Sequence, residues 1–199
     1  MPSPPTAIST ERLAEGRAVV GERLLAERTG AGTWEGELSR SALATATSIT
    51  AIELYCRSAP SAGSVESPGR LAGRVRRGID WLAGQQNADG GWGDTTRSHS
   101  NISTTMLAHA ALVLTGHADS RARLVNGART YIESAGGVAA VLVRYGRDRT
   151  FSVPILTQCA LAGTVDWADV IALPFELGCL PHRFYSIVGL PVVSYALPA

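Results

Sequence analysis

The sequence predicts an all-α protein, an α/α barrel built of helical hairpin repeats that is incomplete in this chain. The main observation is a repeated order of segments: an amphipathic helix, a glycine-rich turn and an uncharged helix follow one another three times. Strand patterns are sparse, since only residues 187–195 are rich in β-branched and aromatic residues and Pro191 interrupts them. Closing such hairpins into a ring places the uncharged helices inside, and an open helical solenoid is the alternative.

The first repeat covers residues 10–57 and follows a tail at residues 1–9. Ser9 or Thr10 is a suitable helix cap, and apolar residues then recur at helical spacing, which predicts an amphipathic helix ending before Gly30. Residues 41–55 are nearly uncharged on every side. A helix without a polar face is normally buried, so we expect this segment to lie in the core.

The second repeat covers residues 70–116 and is separated from the first by a loop at 58–70, which is rich in proline, glycine and serine. Residues 70–84 predict a basic amphipathic helix. The turn at 89–93 contains three glycines and a tryptophan, and residues 101–115 form the second uncharged helix.

The third repeat covers residues 121–165 and is weaker. It has an amphipathic helix at 122–134, a turn at Gly136-Gly137 and an uncharged segment at 151–162. Because a closed ring needs about six hairpins and we count three, the chain predicts half a barrel. We therefore expect exposed apolar surface on its open side, and a need for the remainder of the barrel or a second subunit.

Composition excludes several classes of protein. The chain has 199 residues, of which 45% are hydrophobic and 18% charged, so it is neither disordered nor collagen-like nor a disulfide scaffold. With 18 basic and 17 acidic residues, there is no electrostatic reason to expect a nucleic-acid partner. Cys56, Cys159 and Cys179 are widely spaced among apolar neighbours, which predicts buried free thiols in a reducing compartment.

The sequence shows no targeting or spanning segment. Its N-terminus lacks the basic and apolar regions of a secretory signal. The longest uncharged runs have 16 residues and contain proline, whereas a membrane span needs about 20 apolar residues. We therefore expect a cytoplasmic protein, with peripheral membrane contact as an open possibility.

One motif, at residues 77–92, has a defined spacing. Its members are Arg77, Gly78, Trp81, Leu82, Gln86, Gly90 and Trp92. The motif resembles the QW repeat of squalene–hopene and oxidosqualene cyclases at every specified position. Its physical role is structural, since a glutamine can bond open backbone groups at a helix end, a glycine permits a tight turn and a tryptophan covers it.

The resemblance extends over about residues 10–199 and indicates the N-terminal region of such a cyclase. Residues 103–112 resemble the inner helix after the QW loop, and residues 173–177 resemble a Pro-Pro-Glu stretch of the same region. The other two QW copies are degraded. The resemblance implies a class II terpene cyclase, which protonates an apolar polyprenyl substrate such as squalene, requires no cofactor and contacts the membrane peripherally.

The resemblance also implies cavity-lining residues near the C-terminal end of the sequence. Phe184, Tyr185 and Tyr195 fall in the segment that lines the cavity of related cyclases, where aromatic faces stabilise carbocations. Leu190 falls about where squalene–hopene cyclases carry a cavity tryptophan. That departure leaves open a shorter or different prenyl chain, and ordinary core residues are the alternative interpretation of these rings.

We assign no catalytic residue in this chain. Class II cyclases use the middle aspartate of an Asp-x-Asp-Asp motif as the acid, and no two of the seven aspartates lie two residues apart. No metal site is predicted either, since the four histidines lack partners at ligand spacing, and His109 is expected to be a hydrogen-bonded core residue. The segment alone is therefore predicted to be inactive. Two hypotheses follow: a cyclase N-terminal segment, or a non-catalytic helical-repeat scaffold derived from the same barrel.

Overall fold

The computed structural model describes residues 9–36, 39–58, 68–146, 149–172 and 179–187. These residues form eight α-helices, a short 3-10 helix and no strand, so the all-α prediction is confirmed. The helices are α1 (Thr10–Ala26), α2 (Ala42–Ser58), α3 (Pro68–Ala83), α4 (Ile102–Leu114), α5 (Ala122–Ala135), α6 (Gly137–Tyr145), α7 (Arg149–Leu161) and α8 (His182–Ile187), with the 3-10 helix at Trp167–Asp169.

Helix α1 belongs to a separate compact unit, residues 1–39. Ser9 caps the helix as predicted, since its hydroxyl accepts a hydrogen bond from the Arg12 N–H. After the helix, the Trp34 indole N–H donates to the Leu24 carbonyl at 2.6 Å, and the Arg28 guanidinium lies 5.6 Å from the Trp34 ring centre. These contacts close the turn after α1, whose own residues bury no side chain.

Helix α4 is the centre of the second unit, residues 40–199. It packs against α2, α3, α5, α6 and α7, and eleven of its thirteen residues are buried. Its N-terminus is capped by Asn101, whose side-chain oxygen accepts from the Thr104 N–H at 3.0 Å. The prediction of an uncharged, buried helix at 101–115 is confirmed.

Helices α3 and α5 are amphipathic, as their patterns predict. The core side of α3 buries Val75, Ile79 and Leu82, and that of α5 buries Val125 and Ala128. Their charged residues lie on the exposed sides. This division follows from the 3.6-residue period of the apolar positions.

Helices α2 and α4 run side by side in the same direction. Ser41, at the start of α2, forms a β-bridge with Thr95, which precedes α4. At the other end, the Arg57 guanidinium of α2 donates to the Leu114 carbonyl of α4. The second helices of the first two hairpins are therefore parallel neighbours.

Helix α2 is less buried than predicted. Only Ala42, Ala46, Ile49 and Thr50 are buried, and the side that includes Tyr55 is exposed. Within the described part of the chain, α2 packs mainly against α3 and α4, on one side only. Tyr55 on α2, Val143 on α6, and Phe151 and Leu161 on α7 are exposed apolar side chains, and the open side of an incomplete barrel stays a prediction.

The third repeat contains a helix that the sequence analysis missed. Gly136 adopts the left-handed conformation (φ 98°) and ends α5, but α6 begins at the next residue rather than after a loop. The segment was missed because nine residues rich in valine give a weak helical pattern. Val141 is fully buried in the shared core, so tertiary packing selects the helix.

The segment between α2 and α3 is shorter than the predicted loop at 58–70, because α2 runs through Ser58 and α3 starts at Pro68. Proline is favourable at the start of a helix, where its missing N–H costs no helical hydrogen bond. Residues 59–67 lie outside the described residues, as do 188–195 of the β-rich segment.

Among the helices that are described, none is both long enough and apolar enough to span a bilayer.

Candidate functional site

The side chain of Gln86 joins the end of α3 to the start of α5. Its amide nitrogen donates to the Gly90 carbonyl at 2.8 Å and to the Leu124 carbonyl at 2.9 Å. The first bond closes the turn after α3, and the second crosses to the neighbouring outer helix. The sequence predicted that Gln86 bonds backbone groups near a helix end, and the structure identifies which ones.

Gly90 approaches Gly127 of α5 too closely for any side chain. A Cβ atom at Gly90 would lie 2.5 Å from the Gly127 carbonyl oxygen, and the Gly90 φ of +85° is itself unfavourable for other residues. Gly127 was not predicted, because a glycine inside a helix gives no sign of which turn will press against it.

Trp92 lies beneath the loop between α3 and α4 and is fully buried. Its indole N–H donates to the Leu82 carbonyl at 2.9 Å, and its backbone N–H donates to the Thr105 hydroxyl at 2.9 Å. The Asn101 N–H donates to the Trp92 carbonyl at 3.0 Å. Every polar group of Trp92 is therefore bonded within the motif and α4, as a structural role requires.

The other motif members also act in packing. Gly78 lies where α3 meets α2, since a Cβ atom there would be 2.9 Å from the Ile49 side chain. Leu82 is fully buried and Trp81 is half-buried against the core. Arg77 is exposed.

Two carboxylates hold the loop 89–101 against the start of α4. An Asp89 oxygen accepts from the Gly91 N–H at 3.0 Å and from the Ser100 hydroxyl at 2.7 Å. An Asp94 oxygen accepts from the Asn101 amide at 2.9 Å and from the Thr104 hydroxyl at 2.5 Å. The sequence analysis did not single out this Asp94 cluster, although its partners lie seven and ten residues along the chain.

The predicted cavity residues are only partly described. Phe184 and Tyr185 lie on the short helix α8, with ring centres 5.7 Å apart in an edge-to-face arrangement. Phe184 is 44% exposed and Tyr185 is half-buried. Leu190 and Tyr195 lie outside the described residues, so a cavity role for the four residues stays a prediction.

His109 differs from the expectation of a hydrogen-bonded core residue. Its Nε2 atom is buried and has no hydrogen-bond partner within the described residues. Burial, and secondarily the charge of Arg129, lowers the pKa of the imidazole below its usual value of 6.5. An unpaired buried polar atom costs about 1–3 kcal/mol, and the sequence cannot reveal it because the bonding partners are set by packing.

The prediction of three buried thiols is wrong for two of them. Cys159 is buried, and its burial raises the pKa of the thiol to about 12. Cys56 and Cys179 are exposed free thiols. Cys56 lies near the end of α2, on the side that the described residues leave uncovered.

No group of three or more histidine, cysteine, aspartate or glutamate side chains is close enough to hold a metal ion in the described parts of the chain. The hydrogen bonds and close backbone contacts of residues 77–92 are those of a helix-fastening site. Its hydrogen bonds are made to backbone groups and loop residues, and its glycines allow two backbones to touch.

The comparisons with known proteins agree with this geometry. The family described as squalene-hopene cyclase N-terminal domain matches residues 18–190. A protein named squalene hopane cyclase, from Aspergillus fumigatus, is 33% identical over 104 residues, which are 52% of this chain and 13% of that protein. Enfumafungin synthase, from Hormonema carpetanum, is 35% identical over 101 residues, which are 51% of this chain and 7% of that protein.

The aligned part thus spans a small fraction of both relatives. No solved structure matches the chain significantly. Because the family match covers most of the sequence and includes the whole helix-fastening motif, the chain belongs to the squalene-hopene cyclase N-terminal domain family.

Proposed function

We propose that this chain is the N-terminal segment of a class II terpene or triterpene cyclase that cyclises a polyprenyl substrate by protonation. The observation that carries the proposal is the family match over residues 18–190, supported by the bonded QW motif at its centre. One of the two relatives is named a squalene hopane cyclase and the other an enfumafungin synthase, and each matches over about half of this chain.

In this proposal the chain supplies scaffold rather than acid. Asp89 and Asp94 are bonded to the loop that starts α4, and the sequence contains no Asp-x-Asp-Asp motif. The protonating aspartate then belongs to another part of the working protein. The remainder of the barrel or a second subunit would cover the exposed side of α2 and the apolar residues of α6 and α7.

The proposed substrate is an apolar polyprenyl chain such as squalene, with no cofactor. Phe184, Tyr185 and Tyr195 are the proposed cavity aromatics, since ring faces stabilise a desolvated carbocation by about 2 kcal/mol each. We propose a cytoplasmic location with peripheral membrane contact, because the substrate is a lipid. No nucleic-acid partner is proposed.

The test compares the 199-residue chain with the full natural protein in which it occurs. Each is incubated with squalene and with a shorter polyprenyl chain in detergent, and products are identified by gas chromatography and mass spectrometry. We expect cyclised product only from a protein that carries Asp-x-Asp-Asp, and loss of product when the middle aspartate of that motif is changed to asparagine. Product from the 199 residues alone would overturn the assignment of the acid to another part.

A non-catalytic scaffold is the alternative outcome. It is favoured by the hydrogen bonds of Gln86 and Trp92, the motif side chains described above, because these bonds fasten helices and loops to one another. A natural protein that lacks Asp-x-Asp-Asp, gives no product and still unfolds cooperatively would establish this alternative.

A further inference from the structure

A cavity of about 410 Å³ lies between α4, α5 and the turn that follows α7, away from the QW motif. Its walls come from Met106, His109 and Val113 of α4, from Arg129, Ile132 and Glu133 of α5, and from Gly163 and Thr164 of the turn. This volume is within the range of small-molecule sites, which run from about 300 to 1,000 Å³.

Two polar groups on the cavity wall have no protein partner in the described residues. The buried Nε2 of His109 makes no hydrogen bond, and Arg129 forms no ion pair. Glu133, one helical turn after Arg129, does not pair with it either. A buried polar atom such as the His109 Nε2 normally has a hydrogen-bond partner, and the exposed Arg129 adds one positive charge to the cavity wall.

The rest of the wall is largely apolar. Met106 is buried, and Val113 and Ile132 are half-buried. A ligand that matches both the polar and the apolar part of this wall has a negatively charged group that contacts Arg129, an atom that forms a hydrogen bond with His109, and a short apolar tail. Because the Nε2 atom is shielded from solvent, the imidazole ring must turn toward the cavity for a ligand to reach it.

We propose that this cavity is a binding site for a short-chain carboxylate, held by Arg129 and His109 with its alkyl tail against Met106 and Ile132. Neither Phe184 nor Tyr185 lines this cavity, and the proposal does not depend on cyclase activity.

The experiment titrates the 199-residue chain with sodium butyrate at constant ionic strength and follows the histidine ring signals and backbone amides by NMR. We expect saturable shifts confined to His109 and to residues 106–113, 129–133 and 163–164. The His117 signal serves as an internal reference, since its Nδ1 lies 3.0 Å from the Thr115 hydroxyl outside the cavity. Butyramide, the neutral isostere, should bind at least tenfold more weakly, which corresponds to about 1.4 kcal/mol.

Matched variants complete the test. Arg129→Gln should weaken butyrate binding at least tenfold, and Arg123→Gln, which is exposed on the same helix but outside the cavity, should leave it unchanged. Because Arg129 is exposed, its loss will not prevent folding. Equal binding of butyrate and butyramide, equal binding by Arg129→Gln, or the absence of saturable shifts at His109 would each overturn the proposal.

Discussion

The Gln158 side-chain amide donates a hydrogen bond of 3.0 Å to the Thr50 hydroxyl, joining two residues that are 108 positions apart. Thr50 lies on α2 and Gln158 on α7, and both helices pack against α4. The bond therefore links the first and third uncharged helices directly. Helix α4 has almost no exposed surface because it packs against five other helices, α2, α3, α5, α6 and α7.

This bond leads to the first prediction. Thr50→Val should destabilise the chain by about 1–2 kcal/mol, because it leaves the partly buried Gln158 amide without its acceptor. Gln158→Leu should cost a similar amount, and the double variant should cost less than the sum by about 1 kcal/mol. Urea unfolding measures all three. Thr47→Val, on the exposed side of α2, is the control, and additive costs would contradict a direct interaction.

Gly90→Ala should be among the most damaging single substitutions in the chain. The added methyl would overlap the Gly127 carbonyl, and the positive φ adds conformational strain, so we expect a loss of at least about 3 kcal/mol. Gly116→Ala isolates the strain, since Gly116 has a φ of +70° but open space around it, and should cost about 1 kcal/mol. Equal losses for the two variants in denaturant titrations would show that the contact with Gly127 is unimportant.

Gln86→Ala should cost about 2 kcal/mol, because it removes the hydrogen bonds to the Gly90 and Leu124 carbonyls together. Gln85→Ala is the matched control. It removes an amide of the same size at the adjacent position, where no side-chain bond to the described residues is made, and should cost less than about 0.5 kcal/mol. Thermal unfolding followed by circular dichroism distinguishes the two. A Gln85 effect as large as that of Gln86 would show that the motif glutamine has no special role.

His109 predicts a pH dependence of stability. Its pKa is lowered in the folded protein, so the unfolded chain binds more protons just below pH 6.5. Stability should therefore be fully present above about pH 6.5 and fall as the pH drops through the window between the unfolded and folded pKa values. Arg129 and Glu133 of α5 are the charged groups that share the cavity wall with the imidazole.

The measurement is the free energy of unfolding at a series of pH values from 7.5 to about 5, for the natural chain and for His109→Gln. The difference between the two isolates the imidazole from the other titrating groups. If His109→Gln is less stable than the natural chain at neutral pH, the difference in their free energies of unfolding should narrow as the pH falls. Only the natural chain loses stability through protonation of the imidazole at position 109. A difference independent of pH would mean that His109 titrates alike in both states.

Local patterns predicted most helices because they depend on neighbours in the sequence. Ser9 caps α1, the apolar spacing of Val75, Ile79 and Leu82 defines the buried side of α3, and the uncharged run at 101–115 becomes the central helix. The nine-residue helix α6 was missed, because its formation depends on Val141 reaching a core built from distant segments.

The candidate site divides in the same way. The spacing of Gln86, Gly90 and Trp92 predicted a fastening motif, because the motif is a local turn with defined chemistry. Its partners Leu124, Gly127 and Thr105 could not be predicted, since they come from other helices. For the same reason, the predictions of a buried Cys56 and a hydrogen-bonded His109 were wrong, since Cys56 is exposed and the His109 Nε2 has no partner among the described residues.

The sequence by itself determined the helical class, the order of the repeats and the residues of the helix-fastening motif, since period, capping and turn chemistry act within a few residues. Only the tertiary structure decided which side of α2 is covered, where two glycines meet and which polar groups find a partner. These outcomes depend on contacts between segments tens of residues apart, such as Thr50 with Gln158, and no local pattern encodes the distance between them.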